Sequence, residues 1–129
     1  PGFTPMAPVR IADTRAVDGA DVAFPATKVK LAAGTPMVVP VAGQFGVPAD
    51  AGAVSFNVTV AGPTGDGYLT VYPCGAALPN VSNLNYARGQ IVPNAVLTGI
   101  GSGGNVCVYS QVATDVIIDL NGWFPTAKP

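Results

Sequence analysis

The chain contains no histidine and no glutamate. Ser–His and Cys–His nucleophile pairs and histidine-ligated metal hydrolases therefore have no side chains to be built from. Acid–base chemistry is left to the aspartates Asp13, Asp18, Asp21, Asp50, Asp66, Asp115 and Asp119. Only Asp115 and Asp119 share a strand face by parity, at a rise that sets them roughly 13 Å apart, too wide for a glycosidase carboxylate pair. The expected protein is not an enzyme.

Charge is also scarce, at 10% of residues with a net charge of −1. The basic residues Arg10, Arg15, Lys28, Lys30, Arg88 and Lys128 are scattered, so no basic stripe exists to follow a phosphate backbone. Nucleic acid is not an expected partner. No apolar run approaches the ~20 residues that span a bilayer, and no basic-then-apolar leader opens the chain. A start at Pro1 rather than Met is what a processed or excised piece of a longer protein would show, with a signal peptide removed upstream.

What the chain has is apolar content, 49% over 129 residues, enough for one domain with a real core. That composition is incompatible with intrinsic disorder. Sixteen glycines and thirteen prolines punctuate the sequence, and between them apolar residues alternate with period two. In residues 53–60, Val54, Phe56, Val58 and Val60 take one face and Ser55, Asn57 and Thr59 the other. Residues 67–73 set Leu69 and Val71 against Tyr68, Thr70 and Tyr72. The AGPTGDG cluster between them is read as closing a hairpin.

Residues 91–98 and 105–110 read as a second hairpin around GIGSGG. With 115–124 they make a three-stranded meander. Further strands are expected at 27–31, at 36–41, where prolines predict a sheet edge, and near 9–12. The predicted fold is all-β, an antiparallel sandwich or jelly roll of about eight short strands with negligible helix. Residues 1–8 and 125–129 read as Pro-rich arms or linkers around a single domain at 9–124.

Cys74 and Cys107 are too few for a metal cluster and are not a CxxC pair. They are two buried thiols or a disulfide. Low lysine content and many Gly, Pro, Asn and Thr in short strands suggest an extracellular domain and favour the disulfide. By parity such a bridge joins the tyrosine-bearing faces of neighbouring strands, or the loop just beyond one of them.

Arg10, Asp13 and Arg15 form a cluster near the first strand. It is either a ligand-recognition group or, the preferred reading, an internal ion pair. Asp115, Asp119 and Asn121, with Asp66 in a Gly-rich loop, are candidate calcium ligands, but no EF-hand or repeat spacing supports them, and no cofactor is expected. A neutral set of amides and phenols, Tyr68, Tyr72, Asn83, Asn85 and Tyr86, has the chemistry that recognises sugars: aromatic faces for C–H groups and amides for hydroxyls. The same residues would equally serve as strand exteriors packed beside a disulfide. Asn57-Val-Thr and Asn80-Val-Ser match the N-glycosylation pattern, which would carry no weight were the chain bacterial.

Several segments together resemble a β-rich accessory or repeat domain of secreted and cell-surface proteins of actinobacteria and related bacteria. They are Pro8-Val-Arg-Ile-Ala-Asp-Thr-Arg15, Phe56-Asn-Val-Thr-Val60, Gly67-Tyr-Leu-Thr-Val-Tyr-Pro-Cys-Gly75, Ser82-Asn-Leu-Asn-Tyr86, Gly89-Gln90, Asn94-Ala-Val96, Val106-Cys-Val-Tyr-Ser110 and Thr114-Asp-Val-Ile-Ile-Asp-Leu-Asn-Gly-Trp-Phe124. The resemblance implies an extracellular, non-catalytic domain with a Cys74–Cys107 bridge, and it implies no binding residues. Two functions follow as expectations. One is attachment of a parent protein to a glycan or cell-wall polymer. The other is assembly with neighbouring copies into a fibre, pilus or coat, suggested by a mean hydropathy of +0.42 and the Pro-rich ends.

Overall fold

A computed structural model describes residues 2–126. Eight strands form: β1 (Thr4–Asp13), β2 (Met37–Pro40), β3 (Ala51–Ala61), β4 (Gly67–Pro73), β5 (Leu84–Tyr86), β6 (Ile91–Gly99), β7 (Asn105–Ser110) and β8 (Asp115–Pro125). The one helical element among the described residues is a 3-10 turn at Ser102–Gly104. The strands make two four-stranded sheets, ordered β1-β8-β3-β6 and β2-β7-β4-β5. All strand pairs are antiparallel.

The order has a simple origin. β1 pairs with β8, β2 with β7, β3 with β6 and β4 with β5. A long antiparallel ribbon is thus wound over itself, and β3·β8 and β4·β7 seal the two sheets. This is the strand order of a jelly roll. The alternating residues of β3 behave as their pattern requires, with Val54, Phe56, Val58 and Val60 fully buried and the residues between them half-buried. They meet Leu69 and Val71 of β4, Val106 and Val108 of β7, and Val116, Ile118 and Leu120 of β8 in one core.

Neither expected hairpin forms. β3 and β4 lie in opposite sheets, as do β6 and β7, so residues 62–66 and the Gly-rich turn after β6 cross the sandwich. The 91–124 meander is likewise absent, because β7 leaves the sheet that holds β6 and β8. Periodicity marks the buried face of each strand, but Gly/Pro clusters serve hairpins and sheet-to-sheet arches alike.

The strand expected at 27–31 reduces to a single bridge, Leu31 to Thr114. Val29 is exposed, and both lysines turn onto main chain: Lys28 Nζ donates to the carbonyls of Asp13 and Val22, and Lys30 Nζ to that of Gly62. The presumed N-terminal arm is also partly strand, since Thr4 pairs with Trp123 and Pro5 with Gly122 before an irregularity that ends at Val9. Phe3 lies over Gly122, where any side chain would overlap its ring, and stacks at 5.0 Å on Phe124. At the other end Pro125 closes β8 opposite Ala51, the Thr126 hydroxyl donates to Asp50 O, and the remainder of the expected tail, 127–129, lies outside the described residues. β2 is a sheet edge, as its prolines predict.

Candidate functional site

The outer face of the second sheet carries Tyr68, Tyr72 and Tyr109. Cys74, just past β4, is bonded to Cys107 of β7, with Cα atoms 5.0 Å apart. The bridge packs with Tyr72 and Tyr109 in a small cluster outside the main core. Tyr72 sits directly opposite Cys107 in the ladder, so the parity reading of the bridge holds.

Beyond Cys74 the chain turns back as a strap, residues 75–83, over β4. Thr70 points outward yet is fully buried, because the strap covers it, and its hydroxyl donates to Val81 O at 2.7 Å. The Val71 N–H donates to Asn83 Oδ1 at 2.7 Å, the Asn83 N–H to Leu69 O at 2.9 Å, and Asn94 Nδ2 to Asn83 O. At the base, Ser102 N–H donates to Cys74 O. Gly101 is needed there, since a Cβ would overlap the Cys74 main chain. The strap is therefore tied at its root by Cys74 and at its far end through Val81 and Asn83.

Between the strap and β4–β5 lies a cleft of about 200 Å³, lined by Tyr68, Pro79, Asn80, Val81, Ser82 and Asn85. Tyr68 is half-buried and faces Asn85 across the β4–β5 pair. Two amides, a hydroxyl and a phenol converge there with no charged side chain in the lining. On the other side of Tyr68 stands Tyr109 of β7, ring centroids 6.1 Å apart and planes tilted by 39°. Partial desolvation and the neighbouring Tyr68 push the Tyr109 phenol above the usual tyrosine value.

The five residues proposed from sequence separate into two roles. Tyr68 and Asn85 meet at the cleft. Tyr72 is buried against the disulfide, and the Asn83 amide oxygen is committed to Val71. Tyr86 points into the core, where its hydroxyl pairs with Ser110 Oγ at 2.6 Å and accepts from the Val112 N–H. Sequence reasoning missed Asn80, Ser82 and Tyr109 as members of the site. Tyr109 had a usable signal, its shared face with Cys107, whereas the strap residues had none.

The charged candidates are engaged elsewhere. Arg15 grips Asp13 with Nε 3.0 Å from Oδ1 and Nη2 2.8 Å from Oδ2. Arg10, expected in the same cluster, pairs instead with Asp119 at 2.8 and 3.2 Å. Asp115 accepts from Lys30 at 3.1 Å and Thr14 Oγ1 at 2.8 Å. Asn121 falls at the irregularity of β8, between the paired residues Leu120 and Gly122. No group of three or more metal-type ligands occurs among the described residues. A second depression, about 250 Å³ and mostly carbon-lined, lies beside Val29, Leu31 and Met37, without the paired amides of the first.

Comparison with known proteins returns nothing: no family model, no curated protein and no solved structure matches this chain.

Proposed function

We propose that this domain is a non-catalytic extracellular module that attaches its parent protein to a glycan or cell-surface polymer through the Tyr68–Asn85 cleft. The observation that carries the reading is the cleft's lining. Asn80, Ser82 and Asn85 offer amide and hydroxyl groups beside the Tyr68 ring, and no charge competes for a neutral ligand. Sugars need this pairing of an aromatic face with hydrogen-bonding groups. The disulfide supports an oxidising compartment.

Assembly with neighbouring copies has less support, because each of the four sheet edges is blunted. Pro5 and Pro8 interrupt β1, Pro40 ends β2, Pro93 lies within β6, and β5 has only three residues.

The test is retention of the chain on cell-wall glycans, cellulose and chitin. Tyr68→Ala and Asn85→Ala should abolish retention while Tyr86→Phe leaves it intact. Silence of the wild-type chain on every polymer sinks the reading.

A further inference from the structure

Asn85, Tyr68 and Tyr109 sit on β5, β4 and β7, three consecutive strands of one sheet. Tyr68 faces Asn85 directly, whereas Tyr109 faces Thr70 and so lies diagonally from Tyr68, two residues along the ladder. At a strand spacing of about 4.8 Å and a rise of about 3.4 Å per residue, the three make an oblique row roughly 12 Å long, wider than a single pyranose ring. The strap walls only the Asn85–Tyr68 part, because the cleft lining stops at Tyr68. Tyr109 stands outside that cleft, on the far side of the ring that forms its wall.

We propose, resting on the glycan reading above, that the site has two parts and takes a chain of at least two neutral sugar units. One unit enters the strap cleft, and the next lies on Tyr109. Three observations converge on this assignment. The two rings are close enough to form one interrupted aromatic surface, and their tilt offers two facets rather than one flat stack. Tyr109 is only half-buried although its neighbour across β4, Thr70, is fully covered, so the strap leaves it open. No lysine, arginine or aspartate lines the cleft, so a uronate or sulfate entering it would lose water without gaining a partner.

The experiment is calorimetric titration of the full chain with glucose and N-acetylglucosamine, with the β-1,4 oligomers of each, and with an oligogalacturonate. For the sugar that binds, the dimer or trimer should be tighter than the monomer by roughly three- to ten-fold, the effect of one added aromatic contact. Tyr109→Ala should erase that gain, so that monomer and oligomer bind the variant equally, whereas Tyr68→Ala removes binding of both. Tyr109→Phe should retain the gain, which separates stacking from loss of fold. Equal affinity for monomer and oligomer, or an oligomer gain that survives Tyr109→Ala, overturns the two-part site while leaving the glycan reading in place. Binding of the acidic oligomer as tightly as the neutral one overturns the neutral specificity. Failure of every sugar to bind removes the glycan reading itself, and the proposal with it.

Discussion

Asp13 and Arg15 close a two-point ion pair at the end of β1, with the carboxylate fully buried and the guanidinium partly exposed. The Arg15 N–H donates to the same carboxylate, and Lys28 Nζ binds the Asp13 carbonyl, so this end of β1 anchors the loop that follows it. Burial alone would raise the Asp13 pKa. The Arg15 hydrogen bonds, side chain and then main chain, with the charges of Arg15 and Arg10, outweigh it and hold the group below its ordinary value. A carboxyl lowered on folding adds stability above the unfolded value of about 3.9 and loses it as pH falls through the folded value. Urea unfolding at a series of pH values should therefore show stability falling below about pH 4, with a shallower fall in Asp13→Asn. Arg15→Ala, which strands a buried charge, should cost about 3 kcal/mol at neutral pH.

The disulfide closes a sequence separation of 33 residues. Reduction, or the Cys74→Ala/Cys107→Ala pair, should cost about 3–4 kcal/mol. In a thermal melt that is a drop of roughly 10 °C or more. Because Cys74 is also the root of the strap, the same change should weaken retention on any polymer the cleft binds.

Tyr86→Phe separates framework from site. It removes a buried hydroxyl that serves Ser110 and Val112, at a cost of about 1–3 kcal/mol in denaturant unfolding. Polymer retention should not change.

Pro93 guards the edge of β6. Gly62 N–H donates to Gln90 O and Ile100 N–H to Gly52 O, so by the alternation of an antiparallel ladder the even-numbered residues of β6 face β3 and Pro93 faces the open side. Ile91 and Leu97 are exposed on the same strand. Light scattering should find the wild-type chain monomeric. Pro93→Val, which restores an N–H to the open edge, should raise its tendency to associate.

Calcium should not stabilise the fold. Asp115 and Asp119 are already held by Lys30 and Arg10, and a cation would have to displace those partners. Thermal melts with and without millimolar calcium should coincide.

Strand identity was legible wherever one face alone is buried, as in β3, whose alternation matches its burial residue by residue. It failed at 27–31, where Val29 and Leu31 alternate with lysines but, among the described residues, the segment forms a single bridge, Leu31 to Thr114. It also failed at β5, since three residues carry no period, and Tyr86 was placed outside when its side chain fills the core. The disulfide could be argued from composition and parity because both depend on local pattern.

By itself, then, the sequence determined an all-β domain lacking histidine and glutamate chemistry, with defined inward faces and turns. Only the tertiary structure decided which sheet each strand joins, and so that Asn85, Tyr68 and Tyr109 come together at the cleft while Tyr72 and Tyr86 do not. The physical reason is that period-two patterning encodes burial on one side of a strand. The partners across the strand, and the strap laid over Thr70, come from contacts between residues distant in the chain, which no local pattern records.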